Sequence, residues 1–239
     1  VGKTPQSWNS GVFSMIQNLS ETVIIPIAGL ILTFVLCYEL ISMIIEKNNL
    51  HGDFDTFQLF KWIFKTFVAT YIVTHTFDIV IAIFELSQNI VHQSAGVING
   101  NTVLDFNAII GDLTEQLENM EVGELFLLLI ETSLVGLTMN AVSICVTLVL
   151  LGRMVEIYIY CSIGAIPFST MVNREWGSMG NNYLKGLVAL GLQGFFIMVC
   201  VAIYTVLVQS IATAENLHIA IWTCADYTIL LCYSLFKTG

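Results

Sequence analysis

Long runs of apolar residues dominate the chain, and polar residues gather in the segments between them. A helix needs about 20 residues to cross a bilayer, and five runs reach that length: 23–45, 62–86, 125–151, 187–212 and 218–236. A sixth apolar stretch, 153–172, contains Gly164 and Pro167, so we expect it to be broken or re-entrant. The pattern predicts an all-α polytopic integral membrane protein with about five transmembrane helices.

Two segments outside these spans have helical periodicity. Residues 87–124 contain no Lys or Arg but six acids: Asp105, Asp112, Glu115, Glu118, Glu121 and Glu124. Their apolar residues recur at helical spacing, which predicts an acidic amphipathic helix on the outer side. Because membrane-surface helices carry cations on the polar face, a protein partner is favoured over a lipid surface. Packing on the chain's own spans is the alternative.

The pattern divides the chain into four regions. Residues 1–22 form an outer interfacial helix, with an apolar stripe from Trp8 to Leu19. A transmembrane hairpin follows at 23–86, and an acidic extracellular segment at 87–124. Residues 125–239 form the membrane core, with three spans and the broken stretch.

Composition and charge support this interpretation. Hydrophobic residues make up 56% of the chain and charged residues 11%, against about 25% charged in soluble domains. This balance argues against a soluble enzyme. The net charge of −10 is a poor overall match for nucleic acid, whose binding requires clustered cations.

The cations predict an orientation. Seven of the eight fall on one side of a five-span topology: Lys47, Lys61, Lys65, Arg153, Arg174, Lys185 and Lys237. The positive-inside rule makes that side cytoplasmic. We therefore expect the N-terminus outside the cell and the C-terminus in the cytoplasm. If 153–172 crossed the bilayer, Arg174 and Lys185 would move outside and violate the rule.

The sequence indicates no catalytic chemistry. All six cysteines lie in apolar stretches without a C-x-x-C pair, which is typical of buried thiols that act as small hydrophobes. The four histidines lack metal-ligand spacing with a third partner. We predict a protein that is not an enzyme and that has no cofactor and no metal.

Acidic residues inside the spans are the most distinctive polar feature. They are Glu39, Asp78, Glu131 and Asp226, and an ionised group at bilayer depth is costly unless it is paired or hydrated. Glu39 is placed to pair with Lys61 or Lys65 at the inner ends of the first two spans. Asp78 and Asp226 have no obvious cation, which leaves either an interhelical hydrogen bond or the lining of a polar path.

Small and weakly polar residues share one face of the third span. They are Thr132, Gly136, Asn140, Ser143 and Thr147, spaced by four, four, three and four positions. Such faces allow membrane helices to approach closely and to form hydrogen bonds. The spacing predicts a helix-packing ridge, either within one subunit or between subunits.

The middle of the chain resembles a known family. The residues that carry the likeness are Gly-Arg-Met-Val-Glu-Ile-Tyr at 152–158, Gly-Ala-Ile-Pro-Phe at 164–168, Asn-Arg-Glu-Trp at 173–176 and Tyr-Leu-Lys-Gly-Leu at 183–187. They resemble TrbL-like polytopic membrane proteins of conjugative type IV secretion systems. Residues 23–33 and 64–67 are similar to the branch found in mobile elements of Gram-positive bacteria.

This resemblance implies a structural or channel subunit of a DNA-transfer machine in the bacterial cell membrane. The expected assembly is a homo-oligomeric ring, possibly a pentamer. Its expected partners are other type IV secretion membrane subunits and ATPases, an extracellular minor-pilin or adhesin-like subunit, and lipids. In such a ring Arg153, Arg174 and Lys185 would form an inner basic rim. The rim would make transient contact with single-stranded DNA, or it would only fix the topology and contact lipid headgroups.

Two other functions stay open at this point. A small-solute or proton-coupled transporter would use Asp78 and Asp226, although the sequence shows no internal repeat of the kind common in transporters. A membrane-embedded assembly factor without a conduit is the third possibility.

Overall fold

The computed structural model describes residues 3–48, 56–101, 114, 117–118, 120–173, 175–211 and 217–238. These residues form only helices and turns. The helices are α1 (Pro5–Trp8), α2 (Ser10–Leu19), α3 (Ile25–Asn48), α4 (Thr56–Thr74), α5 (Thr76–Asn101), α6 (Val122–Ile163), α7 (Ala165–Thr170), α8 (Gly177–Ile211) and α9 (Leu217–Lys237), and a π-helical stretch (Ser20–Ile24) joins α2 to α3. The fold is therefore all-α, as predicted.

Candidate spans account for most of these helices. Within the described residues, four segments are long and apolar enough to cross a membrane: Ser10–Ile45, Val122–Ile163, Gly177–Gln209 and Leu217–Lys237. The bent pair Thr56–Thr74 and Thr76–Val97 provides a fifth if the two helices act as one span. The first span thus continues from α2, which the sequence had placed in a separate interfacial helix. The predicted acidic segment 87–124 is described in part: residues 87–101 belong to α5, whereas 102–113, 115–116 and 119 lie outside the described residues.

The second span differs from the predicted continuous helix over 62–86, because the chain bends by 69° between α4 and α5. Side chains at the bend bind carbonyl groups of the last turn of α4. Thr74 Oγ1 donates to the carbonyl of Thr70, Thr76 Oγ1 donates to that of Ile72, and His75 Nδ1 lies 3.0 Å from that of Tyr71. Such bonds compete with the helical ladder and are a recognised cause of bending.

The third span is longer than predicted. The sequence ended it at residue 151, whereas α6 continues to Ile163. Gly152 lies inside the helix, where a glycine costs only about 1 kcal/mol relative to alanine. The break comes instead at Gly164, which separates α6 from the six-residue α7. The first half of the stretch predicted to be broken is therefore regular helix.

The chain forms two compact units. Among the described residues, the N-terminal unit covers 3–88 and 154–192, and the C-terminal unit covers 89–153 and 193–238. The hydrophobic core lies in the N-terminal unit, where α3, α4 and α7 pack together. Its α3 face is lined by Ala28, Leu32 and Val35, spaced by four and three positions as one side of a helix requires.

In the C-terminal unit, most large apolar side chains of α6 point away from the protein. Leu137 is 69% exposed, and Ile144 and Leu148 are exposed to a similar degree. A soluble protein rarely leaves so much contiguous apolar surface uncovered. In a bilayer, the same surface is favourable against lipid or against another transmembrane helix.

Candidate functional site

A polar cluster joins three elements of the N-terminal unit. Glu39 of α3 accepts a hydrogen bond from Lys65 of α4, with Nζ and Oε1 2.8 Å apart. Its other oxygen, Oε2, accepts a hydrogen bond from Asn173 Nδ2 at 3.1 Å. Of the two pairs that the sequence allowed, the structure contains the one with Lys65. Lys61 lies instead over the ring of Phe57, 4.5 Å from its centre.

The turn before α8 is fixed to α3 by its side chains. Asn173 is buried, and its Oδ1 accepts hydrogen bonds from the backbone N–H groups of Glu175 and Trp176. Trp176 stacks on both Phe34 and Tyr38 of α3. One amide side chain thus shapes the turn through Oδ1 and binds Glu39 through Nδ2.

This geometry places the turn at the same end of the N-terminal unit as Lys65. At the other end, Tyr158 Oη donates a hydrogen bond to the carbonyl of Pro5 at 2.7 Å. The chain therefore runs from the α1 end of this unit at Tyr158 to the Lys65 end at Asn173. Arg174 lies outside the described residues.

In the C-terminal unit, α6 and α9 are joined by a second polar pair. His218 Nδ1 lies 2.6 Å from Glu131 Oε2, and both side chains are about one-third exposed. Further along the same helices, the thiols of Cys145 and Cys232 are in contact. Both pairs are 87 positions apart in the sequence (131 to 218 and 145 to 232). A constant separation means that α6 and α9 are parallel and in register.

The remaining acids of the spans lie on the surface. Asp78 is exposed in the first turn of α5, where the positive end of the helix dipole favours a carboxylate. Asp226 is exposed on α9, ten residues into a helix of 21. The two aspartates belong to different units.

The small-residue ridge of α6 is also mostly uncovered within the chain. Thr132, Asn140, Ser143 and Thr147 are exposed. Gly136 is half-buried, and a Cβ built there would meet nothing within 4 Å. Among the described residues, this ridge is therefore not a contact between two helices of one subunit.

The prediction of an inner basic rim was wrong for Arg153. Its side chain is 4% exposed. Its guanidinium packs against Gly194 of α8 so closely that a Cβ at position 194 would lie 2.6 Å from Nη2. The absence of a side chain at Gly194 makes room for the guanidinium, and the burial removes its charge from the surface. Lys185 is exposed, as a rim would require.

Sequence reasoning missed two residues of these clusters, Asn173 as a partner of Glu39 and His218 as a partner of Glu131. The position of His218 at the start of the fifth span, with Glu131 near the start of the third, was the available signal. In the part of the chain that the structure describes, no group of three His, Cys, Asp or Glu side chains could hold a metal ion.

A comparison with protein families provides the deciding observation. A family model described as "TrbL/VirB6 plasmid conjugal transfer like protein" matches residues 1–165. The chain belongs to this family. This match confirms the resemblance to TrbL-like proteins that the sequence motifs indicated. Comparisons with curated proteins and with solved structures found no match.

Membership of the TrbL/VirB6 family fixes the class of protein. The chain is a multi-pass membrane protein and a subunit of a conjugal transfer machinery. Proteins of this family are structural subunits of that machinery and are not known enzymes. The matched region includes the Glu39–Lys65 pair and the ridge of α6, whereas Asn173 and α9 lie beyond it.

Proposed function

We propose that this protein is a homo-oligomeric scaffold or channel subunit of a conjugative type IV secretion machine. Neighbouring copies contact each other through α6 and α9 of the C-terminal unit. The observation that carries the proposal is the exposed carboxylate of Asp226 at the centre of a candidate span.

Asp226 cannot face lipid without a large cost. A charged side chain at the centre of a membrane helix costs about 2.5–3.5 kcal/mol on insertion scales. A second protein surface that offers hydrogen bonds, or a water-filled lumen, removes that cost. An assembly of several copies provides either environment, whereas a lone subunit in lipid provides neither.

The ridge of α6 is a suitable surface for the adjacent copy. Its exposed side chains are short and polar, so a second helix can approach closely and form hydrogen bonds. The ridge includes the exposed amide of Asn140. An amide donates a hydrogen bond to an ionised carboxylate and accepts one from a protonated carboxyl.

The parallel register of α6 and α9 places Asn140 and Asp226 at equal depth. Asn140 is nine residues beyond Glu131, and Asp226 is eight residues beyond His218. At about 1.5 Å per residue, the two side chains lie about 13 and 12 Å below the Glu131–His218 pair. Rotation about the membrane normal leaves depth unchanged. In a ring, Asp226 of one copy therefore meets the ridge of the next copy at the level of Asn140.

Other features of the machine follow from the family resemblance. We expect a pentamer, an extracellular N-terminus, a cytoplasmic C-terminus, contacts with the secretion ATPases, and support of an extracellular minor-pilin or adhesin-like subunit. The buried Arg153 does not favour a rim that steers single-stranded DNA. The transporter alternative gains no support from the separation of Asp78 and Asp226 into different units.

A transfer assay with the mobile element tests the proposal. Deleting the gene from the donor should abolish DNA transfer, and the wild-type gene should restore it. Asp226→Leu should lower transfer at least tenfold and convert the oligomer to monomers in native mass measurement. Glu156→Leu removes an exposed carboxylate from α6 in the N-terminal unit and should leave both readouts unchanged. Normal transfer without the gene would contradict the proposal.

A further inference from the structure

A pocket opens at one end of the N-terminal unit. It has a volume of about 760 Å³ and lies between the C-terminal part of α3, the first turns of α4 and the turn before α8. Binding pockets for small molecules usually have volumes of about 300–1,000 Å³. The polar cluster of Glu39, Lys65 and Asn173 forms part of its wall.

Among the described residues that line the pocket, one cation, Lys61, has no carboxylate partner, and its ammonium group packs over the Phe57 ring. Its lining includes two lysines and two glutamates. Glu39 is already bound by Lys65 and Asn173, and Glu175 accepts a hydrogen bond from Tyr38 Oη. Within the described ranges, no carboxylate lies within 4 Å of Lys61 Nζ.

Neutral donors and apolar walls complete the pocket. Gln58 precedes Lys61 by three positions on α4, so both side chains share one face. Ser42 contributes a hydroxyl from α3. Met43, Ile45 and Trp62 provide apolar walls next to these polar groups. The arrangement suits a ligand with an anionic head and an adjoining apolar part.

We propose that this pocket binds a phosphate group carried by the headgroup of a membrane phospholipid, with Lys61 as the charged contact. Residues 42–45 end one candidate span, and residues 58–62 open the bent pair of helices. Headgroup phosphates lie at this boundary between hydrocarbon and water. Pockets with cations between membrane helices are a common type of headgroup site. Free phosphate has the same chemistry and is the other possible source.

Native mass spectrometry of the purified full-length protein tests the site. The protein is titrated with phosphatidylglycerol in detergent and, in a separate arm, with inorganic phosphate. Lys61→Gln should weaken lipid binding about fivefold, because one cation near the surface contributes about 1 kcal/mol. Lys61→Arg should retain binding. Lys185→Gln removes an exposed lysine of α8 that does not line the pocket and should bind as the wild type does.

Each outcome decides the proposal. Loss of binding in Lys61→Gln alone, with recovery in Lys61→Arg, supports it. Equal lipid binding by Lys61→Gln and Lys185→Gln overturns it. Binding of inorganic phosphate that depends on Lys61, without binding of phosphatidylglycerol, overturns the lipid source. The site does not depend on the proposed oligomer, so either one can fail while the other stands.

Discussion

Asn173 donates a hydrogen bond from Nδ2 to Oε2 of Glu39, across 134 positions of the sequence. Because Oδ1 of the same amide shapes the turn before α8, this contact ties the position of the turn to α3. Lys65 binds the other oxygen of Glu39. A single carboxylate therefore joins α3, α4 and the turn in the N-terminal unit.

Removing that carboxylate should destabilise the N-terminal unit. Glu39→Gln converts a charged acceptor to an amide and leaves Lys65 without its anion. Hydrogen bonds to charged groups contribute about 1.5–3 kcal/mol, and partial exposure reduces this to about 1–2 kcal/mol. The midpoint of thermal unfolding in detergent should fall. Glu85→Gln, an exposed carboxylate of α5, serves as the control, and an equal fall in both variants would show that Glu39 has no special role.

A methyl group at Gly180 should disrupt the turn between α7 and α8. A Cβ at this position would lie 2.5 Å from the carbonyl oxygen of Pro167 and 2.0 Å from Met171 Cγ, and a backbone carbonyl cannot easily move away. Gly180→Ala should therefore destabilise the protein by about 1–3 kcal/mol. Gly152→Ala on α6 meets open space and should be neutral or stabilising, because alanine favours a helix. If the two variants changed the midpoint of thermal unfolding by the same amount, the close packing described for Gly180 would be contradicted.

The Glu131–His218 pair should stabilise the contact between α6 and α9. Glu131→Gln should lower stability by about 1 kcal/mol, since the pair is partly exposed. His218→Gln should cost a similar amount, and the double variant should cost less than the sum of the two, because both changes remove the same contact. Additive losses in thermal unfolding would mean that the two side chains do not interact.

Much of the fold could be predicted from hydropathy, because the cost of exposing polar backbone to lipid requires long apolar helices. The bend at His75 could not, although the threonines at 70, 74 and 76 were visible in the sequence. Threonine bonds to the backbone bend a helix only where the surrounding packing allows it. Apolar residues continue past Gly152, so hydropathy alone did not mark residue 151 as the end of the third span.

The candidate sites were harder to predict, since their contacts join distant parts of the chain. The order of charged residues along the chain predicted that Glu39 lies near Lys61 or Lys65, because these residues are at the inner ends of the first two spans. Asn173 carries no charge, and nothing in its spacing indicates Glu39. Arg153 shows the opposite error, because its charge predicted a surface position, whereas the space left by Gly194 accommodates its guanidinium. Side-chain burial depends on such pairings and not on residue type alone.

Disulfide cross-linking between copies tests the proposed oligomer most directly. Two differently tagged copies, both without the six native cysteines, would each carry one new cysteine. Thr132→Cys should cross-link to Ile219→Cys of the other copy, and Thr147→Cys to Tyr233→Cys, because each pair lies at one depth and all four variants keep Asn140 and Asp226. The exchanged pairings, Thr132→Cys with Tyr233→Cys and Thr147→Cys with Ile219→Cys, are about 20 Å out of register and should not cross-link. Equal yields in all four pairings, or none in the matched pairs, would contradict the account.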